Sequence, residues 1–558
     1  MIDPLSVAGL TIAVVDALIK LGERTGELIS DANAFESDSN ELPNLVNDEN
    51  LQTKLIRNLL FSECMVYGGK TLFEQFDPDI QRQIELLCVE IKSILQEGID
   101  LLERRYGITK EHHDTCKESP TTSLLNVSTL TLSRNRSTSS GSLASLSWGR
   151  TSPSLPGLLR WSLRDKKRVE AILQSFKDRN SRLKKKVELW CLASQLGVSP
   201  EHLMHLQTDE SSRKLGFDQD ASLRLAQWDA GKMANSLELL DPSWDSYLKE
   251  IHPIDNQGMF AMFTKDNVAY IQENHHYDAM ASPTTAGQDV DARTRGRIES
   301  LAKLLHQPKE QVFRVLPCVG WKYLPRQSSI AFVFEVQPRP IGAPVSLQRL
   351  LLNNDLRPEL GDKFRLALGL SKCIAQMHMV QWLHESFRSD NILLLPHHVD
   401  DEKTGARVAV NYPEPWVLGF EFSRPEPFFS VGHSDFEPTR DIYRHPDRQG
   451  QPMEMFKKIH DIYALGVVLL EIGLWEPAVK LEKNMFTHAN NPRAVQAQLI
   501  KHAQKRLESR VGRRYKEVVM KCLTGDFGVE DDTKEDLKLQ QAFRHQIVDV
   551  IEMAANYV

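Results

Sequence analysis

Three pairs of adjacent histidines could do metal chemistry, because imidazole is a common ligand of Zn²⁺. They occupy positions 112–113, 275–276 and 397–398. Neighbouring side chains on a strand or helix point apart, and no cysteine or aspartate at ligand spacing completes a site. The seven cysteines are scattered without a C-x-x-C pair, which argues against a zinc finger or a disulfide framework and favours a reducing, intracellular compartment. We therefore predict surface histidines and no metal site.

The segment 383–394 (LHESFRSDNILL) places polar groups ahead of an apolar run. It resembles the protein-kinase catalytic loop, H-R-D-L-x-x-x-N-I-L-L, with His384 and Asn391 in register. Residues 443–447 (YRHPD) resemble the A-P-E segment of that family, and residues 461–471 (DIYALGVVLLE) resemble its helix D-V-Y-S-L-G-V-V-L-x-E. The resemblance implies a two-lobed, protein-kinase-like fold. Its fold-supporting positions would be Pro446, Asp461 and Gly466.

The reacting positions of that family hold other residues. Phosphoryl transfer needs one carboxylate at the attacking hydroxyl and another on Mg²⁺. The base position holds Ser386, preceded by Glu385, and the segment that matches D-F-G is Gly419-Phe420-Glu421. Asn391 is the one expected metal ligand that remains. We therefore assign no catalytic residue.

The phosphate-binding features of the family are also missing. None of the 29 glycines is separated from another by one residue, so no G-x-G exists. The strand 268–272 runs into Glu273-Asn274-His275-His276 without the lysine that the family carries there. Glu299 could mark the helix whose glutamate pairs with that lysine, but the lysine partner is missing. The resemblance with these departures implies a pseudokinase rather than an enzyme. We expect no cofactor, and ATP binding stays open as an alternative.

Three segments of the N-terminal half carry a second resemblance. Residues 3–10 (DPLSVAGL), 67–74 (YGGKTLFE) and 158–167 (LLRWSLRDKK) are similar to the HeLo family, the prion-inhibition and propagation domain of filamentous fungi. The resemblance covers about residues 4–210. It implies a helical-bundle cell-death domain, associated with heterokaryon incompatibility. In that family the apolar first helix is released on oligomerisation to permeabilise membranes.

Composition and periodicity predict a multidomain α and α+β protein. Residues 5–115 have helical periodicity, with a clear helix start at Asp77-Pro78. Half of residues 119–154 are Ser or Thr, which is typical of disorder. A hairpin around residues 265–267 and a strand at 330–336 precede a mainly helical region. The predicted domains are a HeLo-like bundle 1–215 with a disordered insertion 118–156, a linker 216–250, and a kinase-like domain 251–558 with lobes 251–337 and 338–558.

Two segments could contact a membrane. The uncharged run 4–15 is shorter than the roughly 20 residues that span a bilayer, and no secretory signal precedes it. Segment 5–21 is apolar on nearly every face, which predicts a core helix or one that seeks lipid or a partner. Residues 160–186 hold eleven basic and three acidic residues, as in helices that lie on anionic lipid. The membrane-active candidates are Leu10, Val14, Leu18, Lys166, Lys167, Lys184, Lys185 and Lys186.

Three functions fit these patterns. In the first, a non-catalytic kinase-like domain controls a membrane-active, self-oligomerising bundle in regulated cell death. That protein would be cytoplasmic and recruited to the plasma membrane, an anionic surface, on a cue from an unknown upstream protein. The second is a catalytic kinase that binds ATP, with Glu385 or Asp390 as base and Glu421 on the metal. The third is a scaffold without membrane activity. The net charge of −7 gives no reason to expect a nucleic-acid partner.

Overall fold

The computed structural model describes most of the chain in two compact units. One unit consists of residues 1–61 and 78–184, the other of residues 62–77 and 185–558. The predicted insertion 118–156, His112, His113 and Glu421 lie outside the described residues. The described residues are 7–33, 41–106, 166–228, 239–249, 252–253, 260–276, 292–324, 329–337, 340–353, 357–401, 405–420, 438–449, 454–482 and 492–558.

The described secondary structure is mostly helical, with small sheets. In chain order the α-helices are α1 Val7–Asn33, α2 Glu41–Phe61, α3 Leu72–Gln75, α4 Pro78–Tyr106, α5 Lys166–Ala193, α6 Pro200–Thr208, α7 Glu210–Leu215, α8 Phe217–Trp228, α9 Ala292–His306, α10 Leu347–Leu352, α11 Leu360–Met379, α12 Pro438–Asp441, α13 Lys458–Leu474, α14 Pro492–His502, α15 Glu508–Val511, α16 Arg513–Thr524, α17 Leu537–Phe543 and α18 Asp549–Tyr557. The strands are β1 Glu63–Cys64, β2 Lys70–Thr71, β3 His252–Pro253, β4 Phe260–Lys265, β5 Val268–His276, β6 Cys318–Leu324, β7 Ser329–Val336, β8 Val345–Ser346, β9 Ile392–Leu394, β10 Pro396–Asp401, β11 Gly405–Val410 and β12 Trp416–Val417.

The first unit is a helical bundle in which α1 packs against α2 and α4. The predicted helix start at Asp77-Pro78 is confirmed, because α4 begins at Pro78. Helical spacing places one apolar stripe of each helix on a shared core. That core contains Leu28, Ile29, Val46, Ile99, Leu101, Leu102, Val169, Ile172 and Leu173.

A buried polar contact joins α2 to α5 within the bundle. The Asn180 amide nitrogen donates to the Glu49 backbone carbonyl and to its carboxylate, both at 2.8 Å, and the Thr53 hydroxyl lies 3.2 Å from the Asn180 oxygen. Burial raises the pKa of Glu49. Because each buried polar group would be costly without a partner, this contact fixes the register between the two helices.

The prediction of helix throughout residues 5–115 is wrong at residues 63–71. There β1 and β2 pair antiparallel, and the turn between them contains Gly68 and Gly69, whose φ angles are +66° and +78°. Glycine adopts this left-handed backbone readily, whereas a helix cannot continue through it.

The second unit contains a five-stranded antiparallel sheet in the order β3-β4-β5-β7-β6. The predicted hairpin is confirmed: β4 and β5 are joined by Asp266 and Asn267, both at positive φ, as in a two-residue type I′ turn. The predicted strand 330–336 is confirmed as β7. Helix α9 lies between β5 and β6 in the chain and contacts β6.

The rest of the second unit is mainly helical. The predicted mainly helical region is confirmed. It contains α11, α13, α14 with a π-helical extension Ala503–Leu507, and α16. Helix α13 is buried along almost its whole length and packs against α11 and α16. The three-stranded sheet β12-β9-β8 includes β9, which directly follows the segment that resembles a catalytic loop.

Candidate functional site

The carboxylate of Asp461 on α13 holds the start of the loop 383–391. It accepts hydrogen bonds from the backbone N–H groups of His384 at 2.8 Å and Glu385 at 3.1 Å. The His378 ring nitrogen lies 3.3 Å from the same carboxylate. Glu385 adopts a φ of +63°, a left-handed conformation that costs a non-glycine residue about 1–2 kcal/mol. The loop therefore has a fixed, strained shape imposed by the buried α13.

The imidazole of His384 is a buried structural group. Its Nε2 lies 3.1 Å from the Leu418 carbonyl, and its Nδ1 accepts from the Ser386 backbone N–H at 3.3 Å. The Phe420 ring packs against it at a centroid distance of 4.6 Å. Burial lowers the pKa of His384 to about 4, so the ring is neutral near pH 7 and bridges two backbone groups.

The side chain of Asn391 fills the space beside Gly419. A Cβ atom built at Gly419 would lie 2.1 Å from Asn391 Nδ2, and Gly419 has a φ of +78°. The same amide nitrogen donates to the Ser386 carbonyl at 2.8 Å. Where the family resemblance places the metal-binding carboxylate, this backbone leaves room for no side chain unless Asn391 moves.

The two proposed substitute bases are placed differently. Asp390 is buried and forms an ion pair with Arg388 at 2.8 Å, while burial raises its pKa. Arg388 also donates to the Ser386 hydroxyl at 3.0 Å. Glu385 is half-buried. Ser386 and Asp390 are therefore both partners of the Arg388 guanidinium.

A second buried network lies behind the loop. The hydroxyls of Ser389 and Tyr443 are 2.8 Å apart, and Tyr443 donates to Glu471 at 2.7 Å. The Ala478 backbone N–H donates to the same carboxylate oxygen at 2.7 Å. Burial raises the pKa of Glu471 to about 7. These contacts connect the loop to α13 through groups that must stay paired.

The predicted fold-supporting positions are all buried in the second unit. Pro446 begins a short 3₁₀ turn, and Asp461 holds the loop as described. A Cβ atom at Gly466 would lie 2.7 Å from Cys522 Cβ, so a glycine there lets α13 approach α16 closely. No sequence spacing indicated these partners, because they come from distant parts of the chain.

Strand β5, on which the kinase resemblance calls for a lysine, carries a buried acidic side chain and no lysine. Glu273 is 1% exposed and pairs with His275. Both lie on the buried face of the strand, since alternate residues share a face. The prediction of a surface histidine is therefore wrong for His275, although His398 is exposed.

The membrane candidates lie on two helices. On α1, Leu10 is 52% exposed, Val14 is half-buried and Leu18 is 1% exposed, so the helix has one buried and one outward stripe. The lysine candidates 166, 167, 184, 185 and 186 lie on α5, where Lys167 and Lys185 are exposed and the other three are half-buried. The Lys186 ammonium lies 5.6 Å from the Trp190 ring centroid.

Contacts that hold α1 in the bundle were missed by the sequence analysis. Arg57 of α2 donates to both carboxylate oxygens of Asp16, through Nε and through Nη2 at 3.4 Å. Lys54 and Glu23 form an ion pair at 2.8 Å. Asp16 and Glu23 lie seven residues apart on α1. This spacing places them on one face and could have indicated a facing cationic helix.

Arg24 joins α1 to α4 through Glu103 at 3.1 Å. Glycine adds close packing, since a Cβ at Gly22 would lie 2.7 Å from the Asn50 side-chain oxygen. The bundle thus secures α1 by surface ion pairs and by one tight helix crossing.

The N-terminal part of the chain matches a known family. Residues 45–199 match the family model described as prion-inhibition and propagation, HeLo. The chain contains a HeLo domain. This domain suggests a function of the cell-death or heterokaryon-incompatibility type. Residues 298–557 match a domain of unknown function, DUF7580. A search of curated proteins found no match.

Two further findings concern only the part of the chain that the structure describes. No helix there is long and apolar enough to cross a membrane. No group of three or more His, Cys, Asp or Glu side chains there could hold a metal ion.

Proposed function

We propose that the protein is a regulated cell-death protein in which a non-catalytic, kinase-like domain controls a membrane-active HeLo bundle. The kinase-like part of the proposal is supported by the order of elements in the second unit. A five-stranded antiparallel sheet with α9 precedes a mainly helical region, and the loop 383–391 is held by Asp461. This order agrees with the motif order found in the sequence.

The packing of Asn391 against Gly419 carries the non-catalytic part of the proposal. A working phosphotransferase needs a carboxylate on its metal, and the space for one is filled by the Asn391 amide. The buried Glu273 on β5 pairs with His275 and provides no cation for a phosphate. Losing the general base alone would cost about 10²–10⁴-fold in rate, and the metal site is altered as well.

The two stripes of α1 support the membrane-active part. Val7 and Leu10 are exposed while Val15 and Leu18 are buried, so the N-terminal half of the helix is apolar on both sides. Such a helix can exchange bundle contacts for lipid contacts at little cost in apolar burial. The ion pairs that hold it are partly exposed, and contacts of this kind contribute about 0–1 kcal/mol each.

Dye release from vesicles tests this function. The full chain is mixed with vesicles of equimolar phosphatidylcholine and phosphatidylserine, and Leu10→Asp should strongly reduce release because it places a charge on the lipid-seeking stripe. Leu51→Asp on α2 is the matched control, since Leu51 is 54% exposed, and it should release dye like the wild type. Equal release by Leu10→Asp and wild type, or no release by the wild type at any protein concentration, contradicts the proposal.

A further inference from the structure

The second unit carries a strongly basic surface around the start of α16. Residues 501–516 contain seven Lys or Arg and one acidic residue, Glu508. Some of these charges are paired: Arg506 with Glu476 at 2.6 Å, and Arg513 with Glu517 at 2.8 Å. Arg510 and Arg514 are exposed and have no hydrogen-bond or ion-pair partner among the described residues. We call Arg510, Arg513 and Arg514 the basic rim.

An apolar groove of about 280 Å³ opens beside the basic rim. Arg513 and Arg514 contribute to its wall, so guanidinium groups and apolar side chains meet at one opening. Apart from these arginines and Gly512, the groove is lined by Phe364, Val511, Tyr515, Val550, Ile551 and Ala554. A ligand that fits both parts must combine an anionic group with an apolar one.

Lys363 and the start of α16 add positive potential near the basic rim. Lys363 is half-buried, and burial together with the charges of Arg510 and Arg357 lowers its pKa to about 8. Helix α16 begins after Gly512, which has no side chain to cap the first N–H groups, and its first turn contains no acidic residue. Uncapped N–H groups at a helix start favour anions.

We propose that the basic rim and the groove bind an anionic phospholipid, with the headgroup phosphate on the guanidinium groups and an apolar part of the lipid in the groove. The apolar lining favours a lipid over an acidic peptide, whose backbone would need hydrogen-bond partners. Helix α18, which lines the groove, also exposes Met553 and Tyr557, and tyrosine is enriched at membrane interfaces. This contact is separate from α1 and gives the second unit its own affinity for a membrane.

Vesicle co-sedimentation of the full chain tests the site, carried out in the Leu10→Asp background so that α1 does not contribute. Arg510→Gln with Arg514→Gln should weaken binding to vesicles of equimolar phosphatidylcholine and phosphatidylserine about 30-fold, since each basic residue near an anionic surface contributes about 1 kcal/mol. Lys480→Gln with Lys534→Gln is the matched control. Both of these lysines are exposed in the same unit, and their loss should weaken binding less than about threefold.

Three outcomes would overturn the proposal. Equal weakening by the two double variants would mean non-specific attraction. Full displacement from the vesicles by millimolar inorganic phosphate would mean a site for free anions. Binding of an acidic peptide to the wild-type chain, together with no binding of the chain to vesicles, would mean a protein partner.

Discussion

At the scale of single residues, position 419 explains most about the site. The sequence already showed a glycine where a metal-binding carboxylate would stand. The structure adds that Asn391, which the kinase resemblance would make a metal ligand, has its amide turned onto Gly419 and bonded to the Ser386 carbonyl. Adding a side chain at position 419 would therefore displace the Asn391 amide.

Gly419→Ala should lower the free energy of unfolding by about 2–4 kcal/mol, because it adds both a clash with Asn391 and a side chain at positive φ. Gly528→Ala separates these two effects. Gly528 has a φ of +64° with open space around it, so this variant should lose only about 1 kcal/mol. Urea denaturation followed by tryptophan fluorescence measures both. Equal losses would show that Asn391 is free to move away.

At this scale the sequence predicts residue types but not the contacts between them. The carboxylates and the lysine that the kinase pattern would require are seen to be absent from the sequence alone. The burial of His275 was not predicted, although β5 alternates and places positions 269, 271, 273 and 275 on one buried face. The bonds from Asp461 to His384 and Glu385 join residues more than 70 positions apart, and no spacing rule indicates such a pair.

At the scale of elements, α1 has one buried and one exposed apolar stripe, which its composition alone does not show. The apolar character of segment 5–21 predicted a helix buried in a core, or one that seeks lipid or a partner. The structure gives it a buried stripe through Val15 and Leu18 and an outward stripe through Val7 and Leu10. Asp16 and Glu23 then anchor it to α2. Apolar composition by itself could not show which stripe faces the bundle.

Two glycines on α1 provide a test of its packing. A helix interior is about 1 kcal/mol more stable with alanine than with glycine. A Cβ atom at Gly26 would lie 3.4 Å from the Asn47 side-chain oxygen, an ordinary contact distance. Gly26→Ala should therefore raise the thermal midpoint of the bundle. Gly22→Ala should lower it despite the same propensity gain, because the new Cβ would lie 2.7 Å from Asn50. Circular dichroism melts of the full chain decide this, and an increase for both variants would contradict the tight α1–α2 crossing.

Elements with strong periodicity were predictable. The start of α4, the β4–β5 hairpin and the strand β7 all follow from capping, turn and alternation signals. The β1–β2 hairpin was missed because two residues per strand are too few to show alternation, and the Gly68-Gly69 pair alone marked the turn.

At the scale of the whole molecule, the HeLo match ends inside the second compact unit. It covers residues 45–199, whereas that unit begins again at Lys185. The residues that follow are held firmly there: Gln376 donates to the buried Asp220 at 2.6 Å, and Gln227 donates to the Val380 carbonyl at 2.8 Å. The domain boundaries predicted at 215 and 250 stay predictions, while these contacts build α8 into the core around α11.

The control that we propose requires α1 to leave α2 before it reaches a membrane. Changing the Asp16–Arg57 pair can alter the release of α1 without altering apolar burial. The two hydrogen bonds from Arg57 to the Asp16 carboxylate depend on opposite charges. Asp16→Arg would place two guanidinium groups against each other and favour release of α1. Adding Arg57→Asp restores the pair with its charges exchanged.

The most direct measurement is dye release by these variants of the full chain from vesicles of equimolar phosphatidylcholine and phosphatidylserine. We predict faster release by Asp16→Arg than by the wild type, and a return to the wild-type rate when Arg57→Asp is added. Release that is unchanged in the single variant, or that stays equally fast after the exchange, would contradict control through the α1–α2 contact.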